Sequence, residues 1–185
     1  MSSKNLSIYQ LKITLQGSKP AIWRRLQVKS NITLEKLHRI FQIVMGWDDY
    51  HLHQFIIDRI YYGIPDPDFD LEVINERRIK LDSVVTREKY SFIYEYDFGD
   101  SWEHKIVVEK IMSPEAGVKY PICIGGKLAC PPEDCGGIWG YSDLLKTIQD
   151  QNDPEYEDML EWLGGEFDPD YFDLEAINSE LRHVK

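Results

Sequence analysis

The chain has 185 residues and a formal net charge of −11 at pH 7. Apolar residues make up 43% of it and charged residues 29%, a balance that excludes a disordered chain and a collagen-like repeat. No apolar run reaches the roughly 20 residues that a membrane-spanning helix needs, so no membrane association is expected. Three cysteines do not suit a disulfide framework, and we therefore predict a cytoplasmic protein with reduced thiols.

Charge is unevenly distributed along the chain. Residues 1–60 carry 9 Lys or Arg and 4 Asp or Glu, whereas residues 131–185 carry 3 and 15. The net charge disfavours nucleic acid as a partner, because a protein that covers phosphates with its surface is usually basic. A local basic patch near the N-terminus is nevertheless predicted, formed by Arg24, Arg25, Lys29, Lys36 and Arg39.

The first elements follow from hydrophobic periodicity. Alternating apolar residues predict strands at about 6–16 and 21–29, joined by a Gly-Ser-Lys-Pro turn into a hairpin. Helical spacing predicts a helix at 33–46 that covers the sheet through its apolar side. Arg24 breaks the strand pattern, since it falls on the apolar face. His38 is expected on the solvent face of the helix.

Three further strands are predicted at 51–58, 90–98 and 102–111, so the sheet should be mainly antiparallel. Residues 63–80 contain two prolines and clustered acids, which predict a surface loop. The C-terminal region is predicted to be helical, with one helix beginning at Ser142.

These elements together predict one α+β domain that spans residues 1–185. It comprises a sheet-rich part at 1–112, an irregular loop rich in Gly, Pro and Cys at 113–137, and an acidic helical part at 138–185.

Residues 94–104 form the densest polar and aromatic stretch of the chain. They include Asp-Phe-Gly, but no other kinase motif accompanies it. We expect the histidine-bearing strand faces and the loop around residues 130–135 to converge on one side of the sheet. The predicted pocket is lined by His51, His53, Asp97, Asp100, Trp102, His104, Glu133 and Asp134.

The same region offers a candidate metal site. Zinc takes thiolate and imidazole ligands in tetrahedral geometry, and the candidate ligands are His53, His104, Cys130 and Cys135. The competing interpretation is that these residues are buried thiols and hydrogen-bonded histidines, in which case no cofactor is needed. No nucleophile elbow, phosphate loop or dinucleotide motif is present in the sequence, so it leaves enzymatic activity open.

Several stretches of the sequence jointly resemble the plasmid pRiA4b ORF-3-like family. They are residues 20–25, 51–55, 94–104 and 130–137, followed by Gly140-Tyr141, and the resemblance extends from about residue 6 to residue 181. The resemblance implies an α+β domain found in prokaryotes, sometimes on mobile elements, and implies no established activity. The arginine-surrounded nucleophile of a recombinase is not recognisable in this sequence.

Three functions follow as hypotheses. The first is a non-enzymatic binding or interaction module with a protein partner, linked through the resemblance to mobile genetic elements. The second is a metal-dependent enzyme that uses a His/Cys/Asp cluster. The third is a nucleic-acid-binding protein that uses the N-terminal basic patch.

Overall fold

The computed structural model describes residues 6–65 and 72–184 of the chain. Its strands are β1 (Ile8–Leu15), β2 (Trp23–Lys29), β3 (His53–Ile57), β4 (Ile60–Gly63), β5 (Ile74–Asn75), β6 (Ser91–Tyr96), β7 (Trp102–Met112) and β8 (Ile122–Lys127). They form one eight-stranded sheet in the order β5-β4-β3-β6-β7-β1-β2-β8. All neighbouring strands pair antiparallel except β4 and β5, which confirms the mainly antiparallel sheet.

The helices are α1 (Leu34–Met45), α2 (Leu81–Val84), α3 (Gly137–Thr147), α4 (Tyr156–Leu163) and α5 (Leu174–Leu181), and a 3₁₀ turn covers Glu76–Arg78. The α+β class and the helical C-terminal region are therefore confirmed. Within residues 6–65 and 72–184, no helix has the length and apolar character needed to cross a membrane.

Helix α1 covers one face of the sheet, as predicted. The Thr33 hydroxyl accepts a hydrogen bond from the Lys36 backbone at the N-terminus, and Gly46 ends the helix with a left-handed φ of 78°. Phe41 contacts the rings of Phe55 and Tyr94, with centroids 6.1 and 5.0 Å away. These contacts remove a continuous apolar surface from water and fix the helix over β3 and β6.

Strand register decides which polar residues lie beneath α1. In an antiparallel sheet, directly opposite residues share a face. The face under the helix carries Tyr94 opposite Phe55 and His104, and Tyr96 opposite His53 and Trp102. Two histidines therefore belong to the same face as the aromatic core.

The predicted loop at 113–137 is partly wrong, because it contains β8. This strand pairs with β2 at the sheet edge, and two glycines in its interior conceal the usual apolar alternation. Gly126 is required there, since a Cβ atom would overlap the Phe172 ring. Helix α3 also begins at Gly137, so Ser142 lies inside the helix and does not start it.

The surface loop predicted at 63–80 is also partly wrong. Its acidic residues from Asp66 to Asp70 lie outside the described part of the chain. The segment that follows forms β5 and the 3₁₀ turn, and Glu76 at the start of that turn is completely buried. The buried Glu76 therefore places a carboxylate on the side of the sheet that helix α1 covers.

Candidate metal centre

His38 is buried, and its expected position on the solvent face is wrong. It lies on the same stripe of α1 as Leu34 and Phe41, at the helical spacing that the apolar face follows. Its Nδ1 atom lies 2.8 Å from the Tyr94 hydroxyl, to which the Gln42 amide also donates. The spacing of the stripe was a usable signal for this burial, but the polar side chain obscured it.

Asp49 binds the other side of the same ring. Its Oδ1 atom lies 2.8 Å from His38 Nε2. The Asp49 backbone has a left-handed φ of 61°, a conformation that Asp tolerates better than most residues. Its N–H donates to the Gln42 side chain at 3.1 Å, so the chain after α1 is fixed where the carboxylate meets the imidazole.

His53 meets the buried carboxylate of Glu76. His53 Nε2 and Glu76 Oε1 are 3.0 Å apart, and Glu76 has no exposed surface. The 3₁₀ turn that positions it is capped by the Asn75 side chain, which accepts from the Arg77 backbone. The second oxygen, Oε2, is also buried and has no hydrogen-bond partner among the described residues. A buried carboxylate oxygen without a partner is costly, and a cation or a water molecule beside it would remove that cost.

The two histidines are in direct contact. The rings of His38 and His53 stack with centroids 3.4 Å apart and planes within 2°. One donor atom from each ring and one Asp49 oxygen all lie within 4.8 Å of one another. Zinc bonds to nitrogen and oxygen are about 2.0–2.2 Å long, and the ion lies near the plane of each imidazole that binds it, so binding one ion requires one of the two parallel rings to turn. We call His38, Asp49, His53 and Glu76 the His–carboxylate cluster.

The local environment favours the protonation states that a metal needs. Burial lowers the pKa of His38, against the opposing effect of its hydrogen bond with Asp49. Burial acts to raise the pKa of Asp49, but the hydrogen bond with His38 and the nearby charges of His38, His53 and Arg39 outweigh it and lower that pKa. A neutral imidazole beside an ionised carboxylate is a ready set of metal ligands.

A cavity of about 270 Å³ opens beside the cluster. It is lined by all four members of the His–carboxylate cluster, by His51, and by Glu35, Arg39 and Arg77. The cluster is thus reachable from solvent through Asp49, whose side chain is 50% exposed, although His38, His53 and Glu76 are largely buried. Of its members, only His53 belonged to the pocket predicted from the sequence. Asp49 and Glu76 carried no periodic signal, because both lie in short irregular segments.

His51 joins the 130–135 loop to the sheet. Its Nδ1 lies 3.7 Å from Asp97 Oδ1 and its Nε2 lies 3.2 Å from Asp134 Oδ1. Glu133 in the same loop accepts a hydrogen bond from the Tyr96 hydroxyl. The structure therefore brings together four residues of the predicted pocket: His51, Asp97, Glu133 and Asp134. His51, Asp97 and Asp134 form a second group of potential metal ligands, which we call the His51 cluster.

Three further residues of the predicted pocket, Asp100, Trp102 and His104, contribute to the fold. Asp100 accepts a hydrogen bond from the Gly136 backbone at 3.1 Å, which fixes the start of α3. Trp102 is buried against Trp47, with ring centroids 6.0 Å apart. His104 is completely buried, and this burial lowers its pKa to about 4. Trp102 and His104 therefore belong to the aromatic core and do not line the cavity.

The zinc ligand set predicted from the sequence does not form. Among the described residues, both groups of potential ligands contain only histidine and aspartate. The Cys130 thiol accepts from Arg24 at 3.0 Å and lies 3.5 Å from the Met45 sulfur. Burial raises the pKa of Cys130 to about 11 and that of Cys135 to about 12. Protonated thiols are poor metal ligands, and His104 faces the aromatic core instead.

The predicted basic patch divides into separate environments. Arg24 is buried, and its guanidinium group is satisfied by donating to the backbone oxygens of Val44, Trp23 and Lys127. Arg25 forms an ion pair with Glu109 at 2.7 Å.

Arg39 lies beside the His–carboxylate cluster and contacts Glu35. Only Lys29 and Lys36 of the predicted patch are neighbours on one exposed surface, where both line the same groove. Arg24 therefore belongs to the core, and the five residues do not form one continuous basic face.

Comparison with known proteins places this fold in a family. A crystal structure of a protein of unknown function, MM3350 from Methanosarcina mazei Go1, matches with a TM-score of 0.84 and 42% identity, covering 93% of this chain and 98% of that one. The uncharacterized protein y4hQ from Sinorhizobium fredii is 40% identical over 146 residues, which cover 78% of this chain and 74% of that protein. The family model described as plasmid pRiA4b ORF-3-like protein matches residues 7–176. The chain therefore belongs to the plasmid pRiA4b ORF-3-like family.

Proposed function

We propose that this protein binds one divalent transition metal ion at the His–carboxylate cluster and that its function depends on that ion. The observation that carries the proposal is the buried Oε2 of Glu76, which has no partner among the described residues, in a residue that lines the same cavity as both histidines. A cation at this position neutralises the carboxylates and binds the imidazoles. Such an ion offsets the buried negative charge of Glu76, while Glu76 stays hydrogen-bonded to His53.

The donor set indicates the class of metal. Two imidazoles and a carboxylate suit zinc and other transition metals, whereas magnesium and calcium prefer all-oxygen sites. His38, Asp49 and His53 provide three ligands, which leaves at least one position for water or another ligand. Glu76 is the carboxylate partner that a metal-bound histidine commonly has, since it hydrogen-bonds His53. This arrangement favours a ligand-binding or catalytic metal over a closed structural one.

Calorimetric titration of the metal-free protein with Zn²⁺ tests this proposal. We expect one zinc ion per chain in the native protein and greatly weakened binding in His53→Gln and Asp49→Asn. His183→Gln is the matched control, because His183 is an exposed histidine outside the cluster and should bind zinc normally. Mg²⁺ should not bind. Zinc binding of equal affinity in all three variants, each checked for folding by circular dichroism, would contradict the proposal.

A separate surface of the protein is a candidate binding site for the predicted protein partner. Two grooves of about 410 and 810 Å³ share Lys29, Tyr120, Pro121 and Val184. Their cationic residues are Lys29, Lys36, Lys119 and Arg182, and no carboxylate of the described chain lines either groove. On a protein of net charge −11, this surface supports binding of an acidic protein segment, such as the acidic C-terminal third of a second copy.

Sedimentation at low and high salt tests this second candidate. Self-association that salt weakens and that Lys29→Glu with Lys36→Glu abolishes would support it. A monomer at all salt concentrations would contradict it for a second copy as the partner. The link to mobile genetic elements stays a prediction from the family resemblance.

A further inference from the structure

Two arginines lie at the cavity beside the His–carboxylate cluster. Arg39 comes from α1 and Arg77 from the 3₁₀ turn, and both line the same cavity as the two histidines. Their side chains are 55% and 61% exposed, so their guanidinium groups reach solvent. Both contact the same oxygen of Glu35, at 3.3 and 3.8 Å. Two cations therefore share one carboxylate and retain donors for another anion.

The charge of the cavity depends on the metal. Three carboxylates (Glu35, Asp49 and Glu76) and two guanidinium groups (Arg39 and Arg77) line it. With neutral histidine ligands, the cavity without metal carries one excess negative charge. A divalent ion changes this to one excess positive charge. An anion should therefore be repelled by the metal-free cavity and attracted by the loaded one.

We infer that the metal centre binds a small oxyanion, with a phosphate group as the preferred ligand. This inference rests on the proposed metal site. One anion oxygen occupies the open position of the metal, and the remaining oxygens accept hydrogen bonds from Arg39 and Arg77. Guanidinium groups match the geometry of phosphate and carboxylate, and the doubly charged phosphate gains more from two arginines than a carboxylate does. The cavity of about 270 Å³ has ample room for a phosphate group.

The test uses zinc-loaded protein from which free zinc has been removed by dialysis. It is titrated with inorganic phosphate, and acetate is titrated separately to represent carboxylates. We expect phosphate to bind the loaded protein at least about tenfold more tightly than it binds the metal-free protein, and more tightly than acetate binds. Arg39→Gln and Arg77→Gln should each weaken phosphate binding by about tenfold while zinc affinity changes little.

Arg78→Gln is the matched control for the arginine variants. Arg78 belongs to the same 3₁₀ turn and is exposed, but it does not line the cavity, so phosphate affinity should stay unchanged. Zinc binding without phosphate binding would overturn this inference and leave the metal site intact. Phosphate binding that is equal with and without zinc, or insensitive to both arginine variants, would also overturn it. Failure to bind zinc would overturn both proposals.

Discussion

The imidazole rings of His38 and His53 are stacked face to face, with centroids 3.4 Å apart and planes within 2°. One ring comes from helix α1 and the other from strand β3, so the contact depends on tertiary packing. Each ring also has its own polar partner: Tyr94 lies against His38, and Glu76 lies against His53. Burial is the main cause that lowers the pKa of His38, and the nearby His53 acts in the same direction, which favours a neutral His38 ring that can bind a metal.

Zinc should stabilise the folded protein through this pair. Binding only to the native state raises the free energy of unfolding by about 2.7 kcal/mol when free zinc is roughly a hundredfold above its Kd. Asp49→Asn should remove most of this gain, because the amide has the same shape but lacks the charge. Urea denaturation with and without zinc measures both values. An equal zinc-induced gain in the native protein and the variant would argue against Asp49 as a ligand.

Glu76→Gln should separate metal affinity from stability. We expect zinc affinity to fall about 10- to 100-fold, as is usual when the carboxylate partner of a metal-bound histidine is lost. The metal-free variant should unfold within about 1 kcal/mol of the native protein, since the amide retains the volume and one acceptor for His53. Competition with a coloured chelator measures the affinity. A variant that binds zinc normally would show that Glu76 has only a structural role.

Arg24 is expected to dominate the stability of the sheet edge formed by β2 and β8. Arg24→Lys removes hydrogen bonds to backbone oxygens that include those of Val44 and Lys127, and it should cost about 2–4 kcal/mol. Arg25→Gln is the matched control, because the partly exposed Arg25–Glu109 pair should contribute at most about 1 kcal/mol. Thermal and urea unfolding of both variants provide the comparison. Equal losses would contradict the assignment of Arg24 to the core.

Acid should destabilise the metal-free protein through His104. Its pKa is about 4 in the folded protein, whereas an unfolded histidine titrates near 6.5. As the pH falls from about 6.5 to 4, the unfolded state takes up a proton that the folded state does not, so the free energy of unfolding falls. At about pH 5 the loss from this residue should be about 2 kcal/mol relative to neutral pH.

His104→Gln tests that origin, because the variant has no titrating group at this position. Its free energy of unfolding should change less between neutral pH and about pH 5 than that of the native protein, whatever its absolute stability. The two pH-dependent unfolding curves are compared in the presence of a chelator. Parallel curves would assign the acid sensitivity to other groups.

Hydrophobic periodicity was sufficient to predict the helices and strands whose side chains follow it. The strands before and after α1, the helix itself and the β6–β7 hairpin all alternate or repeat in the expected way, and the structure confirms them. It failed at β8, where Gly125 and Gly126 leave no side-chain pattern. It also failed at Arg24, whose guanidinium is buried because backbone oxygens satisfy it.

The candidate site was harder to predict for a different reason. The sequence places His53 on the strand face that also carries Phe55, and the strand register agrees. The polar character of its neighbour His38 led to the wrong prediction of a solvent position. Asp49 precedes β3 and Glu76 follows β5, and only the folded chain brings them to the rings. A cluster made from four separated segments leaves no spacing signature in the sequence.

X-ray absorption at the zinc edge tests the central claim most directly. The His–carboxylate cluster predicts a first shell of nitrogen and oxygen only, at about 2.0–2.1 Å, with the outer-shell scattering of two imidazole rings. His53→Gln should remove one ring from that signal. A sulfur shell at about 2.3 Å would instead place the metal on the cysteines, and native protein that takes up no zinc would contradict the account altogether.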